Sequence, residues 1–292
     1  MIYQILNILM PVILASSIGY AYAKYKKISM DIPNKINLDI FIPILIFYAI
    51  SEKLPSIKVL GYFSIGAVIV VLGSGLILYP FLKYLNVNIK AFLPTMMFNN
   101  SINLGLPLSL FAFGQEAMAM FIALSLVQVI GQFTIAVYMY GGNIKVLELF
   151  KNPVIIATIF GLCFNYFDLH LPTLFLPSVE IISQVAIPLI LFSLGVRLST
   201  VSFKNLKVGL IGAVLCPLSG LIMAFFAMTI FEYTPLQINL LILFSILPPA
   251  VLNAILAEKY NHDSSMVASV VAVGTLASII YIPVVLYFLL QN

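Results

Sequence analysis

Two polar interruptions lie in the middle of long apolar segments. They consist of asparagines, a glycine and prolines: Asn99, Asn100, Asn103, Gly105 and Pro107 in the first, and Pro248, Pro249 and Asn253 in the second. Proline removes a backbone donor, glycine permits unusual dihedral angles, and asparagine competes for backbone partners, so both stretches oppose a continuous helix. A helix that starts inside a membrane presents free N–H groups and a positive dipole end, which suit an anion such as a carboxylate. These residues therefore predict an anion-binding site.

The composition places both interruptions in a lipid bilayer. Of 292 residues, 62% are hydrophobic and 8% are charged, whereas soluble domains carry roughly a quarter charged residues. The 14 basic residues are scattered between apolar runs and form no patch for nucleic acid. We expect an all-α polytopic protein of a cell membrane, with lipid as its surroundings.

Apolar runs of about 20 residues, the length that spans a bilayer, recur along the chain. The predicted transmembrane helices are residues 2–23, 35–51, 59–82, 90–113, 116–140, 153–169, 175–198, 206–230, 235–259 and 265–290. The two interruptions fall in the fourth and ninth of these ten spans.

The chain also repeats itself. The run from Pro11 to Ser16 returns as Pro153 to Thr158, and Ile42 to Phe47 returns as Ile187 to Phe192, at offsets of 142 and 145 residues. We expect a first repeat over residues 1–141, a linker over 142–152 and a second repeat over 153–292. Five spans per repeat is an odd number, so the second must be inverted relative to the first. Inverted repeats build many secondary transporters, which favours a transporter over a receptor.

Charge predicts the orientation. The face reached after odd-numbered spans carries twelve basic residues, namely Lys24, Lys26, Lys27, Lys35, Lys83, Lys90, Lys145, Lys151, Arg197, Lys204, Lys207 and Lys259, and the other face carries Lys53 and Lys58. By the positive-inside rule, the twelve-residue face is cytoplasmic and both termini are extracytoplasmic.

Non-helical backbone at this depth must be buried in protein or line a cavity, so we expect the two interruptions to meet. The half-helices that follow Pro107 and Pro249, which are 142 residues apart, would then hold the anion. Gln128 and Gln132 either line the same cavity or join helices by hydrogen bonds. Asp39 is a candidate for coupling or proton relay, or an interfacial acid paired with Lys35.

Three motifs carry a family resemblance. They are Asn100 to Pro107 with the spacing Asn-x4-Gly-x-Pro, Ile187 to Gly195, and Leu247 to Tyr260. With them the chain resembles the auxin efflux carrier family, and the short linker favours its prokaryotic organic-acid permease branch.

The resemblance implies ten spans in two inverted halves with broken helices 4 and 9. It also implies a scaffold of spans 1, 2, 6 and 7, a part formed by spans 3–5 and 8–10 that moves like an elevator, and a homodimer. Asn100 matches the crossover asparagine that contacts the substrate carboxylate, while Pro107 and Pro248 match the crossover prolines. Asn99, Asn103 and Asn253 depart from the family pattern, which indicates a more polar pocket than one for auxin.

Two other functions are open at this stage. A sodium-coupled symporter resembling the bile-acid family would need an acidic residue near the second interruption, and residues 245–253 contain none. A channel would lack alternating access. The chain has no metalloprotease, phosphate-loop or serine-elbow motif, so we expect neither an enzyme nor a cofactor.

Overall fold

The computed structural model describes residues 2–26, 28–84, 87–199 and 205–291, and within these ranges the chain is almost entirely helical. Lys27 and Lys204, which contribute to the predicted charge asymmetry, lie outside the described residues. The helices are α1 (Ile2–Lys26), α2 (Asp31–Lys53), α3 (Ile57–Tyr84), α4 (Ile89–Met97), α5 (Ser101–Met139), α6 (Val146–Leu149), α7 (Pro153–Tyr166), α8 (Leu176–Leu198), α9 (Leu206–Ile230), α10 (Pro235–Ser245), α11 (Leu252–Lys259) and α12 (Ser264–Leu289). The predicted all-α class is confirmed.

Several of these helices suit a bilayer. In the described part of the chain, seven are long and apolar enough to cross it, namely α1, α2, α3, α5, α8, α9 and α12, and α7 and α10 are shorter apolar helices. Helices satisfy their own backbone hydrogen bonds, which a hydrocarbon environment requires. The chain is therefore a multi-pass membrane protein.

Local side-chain caps explain where the later helices begin. Asn152 Oδ1 accepts a hydrogen bond from the Val154 N–H at the start of α7 (2.9 Å), and Asp263 Oδ1 accepts one from the Met266 N–H at the start of α12 (2.9 Å). Thr234 and Gln237 form a reciprocal capping box at α10. Each cap satisfies N–H groups that have no partner inside the helix, which is why the helices begin at these residues.

Helix α5 contains a sharp break at Gly114. This exposed residue has φ 91° and ψ −175°, and a Cβ added to it would meet no atom within 4 Å. A φ in this range favours glycine because other side chains rarely adopt it. The break falls between the predicted spans 90–113 and 116–140.

One group of helices consists of α1, α2, α7 and α8. α8 packs along α1, and α2 packs against both α7 and α8. At the α1–α8 contact, added Cβ atoms on Gly19 and Gly195 would overlap the backbone carbonyls of Phe192 and Ser16. The Ser16 Oγ donates a hydrogen bond to the Leu191 carbonyl (3.0 Å), so the two backbones are in direct contact.

The α2–α7 contact uses related residues. A Cβ on Gly161 of α7 would lie 3.0 Å from the Ile50 Cβ and 3.4 Å from the Phe47 carbonyl oxygen of α2. In the sequence repeat, Gly161 corresponds to Gly19 and Phe47 corresponds to Phe192. A glycine therefore faces the carbonyl of the corresponding phenylalanine in the other half of the chain in both places, and the approach is closer at Gly19 than at Gly161.

The second group consists of α3, α4, α5 and α9 to α12, which include the helices on either side of the two polar interruptions. Helix α9 packs against α3 and α12, and α3 also packs against α4 and α5.

Residues 142–152 connect the halves through the short helix α6. There, the exposed side chains of Lys145 and Glu148 form an ion pair of 2.9 Å, and their hydrogen bond raises the pKa of Lys145 and lowers that of Glu148.

The α1–α8 contact generates a stability prediction. We expect Gly195→Ala to lower the Tm of the purified protein by about 5 °C, because overpacking costs about 1–3 kcal/mol and each kcal/mol shifts the Tm of a protein this size by about 2–4 °C. Thermal unfolding in detergent measures this. The matched control is Gly61→Ala, where an added Cβ meets nothing within 4 Å, and its Tm should be unchanged or slightly higher. Equal Tm values for both variants would contradict the close backbone approach.

Candidate functional site

The two interruptions cross each other. Helix α4 ends at Met97 and α5 begins at Ser101, whereas α10 ends at Ser245 and α11 begins at Leu252. Between these ends the extended segments pair in antiparallel fashion at Asn99 and Pro249. The prediction that the interruptions meet is therefore supported by direct contact.

Two backbone hydrogen bonds hold this crossing. The Asn100 N–H donates to the Pro248 carbonyl (2.8 Å), and the Ala250 N–H donates to the Phe98 carbonyl (2.9 Å). Each segment thus gives one donor and one acceptor to the other. Buried backbone groups must be paired, and here each interruption pairs the groups that the other leaves free.

Amide side chains add further support to the crossing. Asn253 Nδ2 donates to the Phe98 carbonyl (2.8 Å), and Asn253 Oδ1 accepts from Gln132 Nε2 (3.0 Å). Gln128 Nε2 donates to the Asn99 carbonyl (2.9 Å), and Asn99 Nδ2 donates to the Phe244 carbonyl (2.6 Å). Gln128 and Gln132 therefore form hydrogen bonds between helices, and both also line the cavity described below.

The first interruption lies before Pro107, which corrects the prediction that its half-helix follows this proline. The non-helical segment is residues 98–100, and Pro107 lies well inside α5. A wide turn at Ser101–Gly105 precedes the proline, and such a turn relieves the clash of the ring with the preceding carbonyl. At the crossing itself, Pro249 pairs with Asn99, 150 residues earlier.

The wide turn also sets the start of α5. The N–H groups of Leu104 and Gly105 both bond to the Asn100 carbonyl, at 3.1 and 3.2 Å. The three N–H groups before them belong to Ser101, Ile102 and Asn103, which line the cavity. N–H groups at this position of a helix have no intrahelical acceptor and lie at the positive end of the dipole.

A cavity of about 320 Å³ lies beside the crossing. Five of the predicted site residues line it, namely Asn99, Asn100, Asn103, Gln128 and the coupling candidate Asp39. It is bounded by α2 and α8 on one side and by the crossing and α5 on the other. It therefore lies between the two groups of helices.

The other predicted residues lie behind the cavity wall. Pro248 and Pro249 form the pairing at the crossing, and Asn253 is fully buried against it. Gly105 packs against Phe121 and Leu247, and Pro107 is buried in α5. In this structure these five residues lie outside the cavity lining.

Further polar residues of the cavity were missed by the sequence prediction. They are Asn34, Asn37, Ser101, Asn152, Ser193 and Arg197. Asn37 is 2% exposed, and its Nδ2 donates to the Ala186 carbonyl (3.2 Å). A lone amide inside the apolar second span was a signal that could have identified it.

Four buried amide atoms at this site have no hydrogen-bond partner among the described residues. They are Asn37 Oδ1, Asn99 Oδ1, Asn100 Nδ2 and Gln128 Oε1. An unpaired buried polar group costs about 1–3 kcal/mol, so a concentration of them beside one cavity indicates a place for a polar ligand.

Asp39 is exposed and lines the cavity. In the described part of the chain it forms no ion pair with Lys35 within 4 Å. The described residues also include no cluster of three or more His, Cys, Asp or Glu side chains that could hold a metal ion.

Comparison with known proteins points to membrane transport. The profile of a family described as "Membrane transport protein" matches residues 142–286. The chain is also 25% identical to the "Uncharacterized transporter MJ1031" of Methanocaldococcus jannaschii, over 95% of this chain and 96% of that protein.

Over residues 142–286 the chain is similar to this family of membrane transport proteins. It is the auxin efflux carrier family that the three motifs resemble, so the resemblance is confirmed. The profile match starts in the linker and covers the second interruption, and the full-length similarity extends to the first. The matched regions therefore include the segments that form both halves of the crossing.

The amide hydrogen bonds at the crossing generate a second stability prediction. Asn253→Ala removes the donor to the Phe98 carbonyl and leaves the buried Gln132 Nε2 without its acceptor. Because an orphaned buried group costs about 1–3 kcal/mol, we expect a clearly lower Tm in detergent.

The control is Asn103→Ala, which removes an amide that is half-buried and lines the cavity. Its Tm should stay within about 2 °C of the parent, since surface-type substitutions cost little. A smaller loss for Asn253→Ala than for Asn103→Ala would show that Asn253 does not support the crossing.

Proposed function

We propose that this protein is a secondary transporter that moves a small organic anion, a mono- or dicarboxylate, by elevator-type alternating access. One observation carries the proposal. Asn100 lines the cavity at the start of α5, and its side-chain donor Nδ2 is buried without a hydrogen-bond partner among the described residues. An unpaired amide donor next to a helix N-terminus suits a carboxylate oxygen.

The dimensions of the site support a small cargo. The cavity volume of about 320 Å³ is at the lower end of the range for small-molecule sites. Asn100 Nδ2 would bind one carboxylate oxygen, and the first N–H groups of α5 would stabilise its charge. The protein would bind and release this anion without chemical change, so we propose no catalytic activity.

The structure supports ten spans in two inverted repeats. In this scheme α4 and the first part of α5 form span 4, the rest of α5 forms span 5, and α10 with α11 forms span 9. The contacts of Gly19 with Phe192 and of Gly161 with Phe47 exchange between residues 1–141 and 153–292, as an in-plane pseudo-two-fold axis requires. The crossing shows the same exchange. Asn100 donates to the Pro248 carbonyl and Ala250 donates to the Phe98 carbonyl, so an offset of 150 residues converts one hydrogen bond into the other.

The two groups of helices support an elevator. Helices α1, α2, α7 and α8 would form the scaffold and the homodimer contact, and the helices around the crossing would carry the anion. The cavity lies between these groups, so movement of one along the other would change the side to which it opens. Asp39 lies at this boundary and is our candidate for coupling transport to an ion gradient.

The cavity reaches the face that carries most of the basic residues. Asn34, Asn152 and Arg197, which line it, are close in sequence to Lys35, Lys151 and the end of α8. If this face is cytoplasmic, the structure corresponds to an inward-open state in a cell membrane, with both termini outside.

The role of Asn100 is tested with Asn100→Leu, which keeps the side-chain shape and removes the donor. We expect affinity for the transported carboxylate to fall about 10–100-fold, because a hydrogen bond to a charged group contributes about 1.5–3 kcal/mol. Ligand titrations followed by thermal shift, across a panel of mono- and dicarboxylates, measure affinity, and uptake into proteoliposomes measures transport.

The control is Asn88→Leu, which changes an exposed asparagine at the start of α4 and should leave affinity unchanged. If no acid of the panel binds the parent protein, the proposed function is wrong. If Asn100→Leu binds as tightly as the parent, the anion site lies elsewhere.

The orientation is tested with single cysteines in a variant that lacks Cys163 and Cys216. We expect Asp168→Cys to react with a membrane-impermeant maleimide in intact cells, and Asn261→Cys to react only after the membrane is opened, because an odd number of spans separates them. The reverse pattern would invert the topology, and labelling of both from outside would contradict the span count.

A further inference from the structure

The unpaired atoms of the cavity are mostly acceptors. Asn37, Asn99 and Gln128 each leave an amide oxygen without a partner among the described residues, whereas Asn100 leaves a nitrogen. All four residues line the cavity. A carboxylate has acceptors only, so it satisfies Asn100 and leaves three oxygens unpaired.

Backbone carbonyls fix the orientation of these three amides. The nitrogens of Asn99, Gln128 and Asn37 donate to the carbonyls of Phe244, Asn99 and Ala186, at 2.6, 2.9 and 3.2 Å. Turning any amide around would place its oxygen against a carbonyl oxygen and lose that hydrogen bond. The oxygens must therefore point away from these partners.

The three residues are 5% exposed or less, so bulk water does not reach them freely. Asn37 belongs to α2, Asn99 to the crossing and Gln128 to α5. Acceptors from separate parts of the fold thus belong to residues that line the same cavity as Asn100. An acceptor that stays unpaired at this depth costs about 1–3 kcal/mol, which a ligand with a donor would recover.

We propose that the cargo is a carboxylate that carries a hydrogen-bond donor near the carboxyl group, a hydroxyl or an ammonium group. Its carboxylate binds Asn100 and the start of α5, and its donor binds the amide oxygens of Asn37, Asn99 and Gln128. This proposal rests on the proposed transport function and specifies its substrate class.

Matched pairs of acids test the donor directly. Lactate is compared with propionate, malate with succinate, and alanine with propionate, each titrated by thermal shift on the purified full-length protein. We expect a donor-bearing acid to bind at least about 10-fold more tightly than its partner, since a site built to bond a hydroxyl strongly rejects the analogue that lacks it. Preference for lactate or malate identifies a hydroxyl, and preference for alanine identifies an ammonium group.

Two substitutions assign this preference to the amide oxygens. In Gln128→Met and in Asn37→Leu an acceptor is lost, so the affinity ratio between the donor-bearing acid and its partner should fall to about one third or less of the parent value. Two positions are used so that the test remains if one variant fails to fold. If both fail to fold, the affinity ratio measured on the parent protein decides.

The matched control is Asn239→Leu, which also loses an amide-to-carbonyl hydrogen bond, to Leu289 at 3.2 Å, but lies outside the cavity lining. It should keep the parent ratio.

The outcomes separate the two proposals. Equal binding within every pair would overturn the donor requirement and leave the anion carrier intact. No binding by any acid would overturn the transport proposal itself. A parent preference that survives in both Gln128→Met and Asn37→Leu would mean that these oxygens do not recognise the donor, which also overturns the inference.

Discussion

The site depends on one constraint: two interrupted helices must satisfy each other's backbone inside a membrane. Asn100 donates to the Pro248 carbonyl and Ala250 donates to the Phe98 carbonyl, so neither interruption could exist at low cost without the other. Hydrocarbon offers no alternative partner for these groups. This pairing fixes where α5 and α11 begin, and with them the position of Asn100 beside the cavity.

Amide side chains convert this pairing into a rigid site. Asn253, Gln132, Gln128 and Asn99 donate hydrogen bonds to one another or to backbone carbonyls at and near the crossing. Two of their oxygens, Asn99 Oδ1 and Gln128 Oε1, stay unpaired among the described residues. Unpaired buried groups lower stability, and proteins commonly retain such exceptions where they bind ligands. The crossing thus explains why polar groups lie beside the cavity.

The sequence predicted the helices well and the site in part. Long apolar runs located most helix ends, because a bilayer requires about 20 apolar residues for each span. Pro107 was assigned to the break, although the wide turn at Ser101–Gly105 lets it lie inside α5. The pairing of Asn99 with Pro249 could not be predicted, because local patterns do not show which residues of the two interruptions come into contact. Asn37, Ser193 and Arg197 were missed because one sequence does not show which helices face each other.

The central claim is that an organic anion binds at Asn100, between the two groups of helices. A cryo-electron microscopy structure of the full-length protein with a carboxylate identified by titration tests it most directly. The account predicts density in the cavity with a carboxylate oxygen about 3 Å from Asn100 Nδ2. Ligand density in the separate crevice lined by Tyr20 and Lys24, with the Asn100 cavity empty, would contradict it.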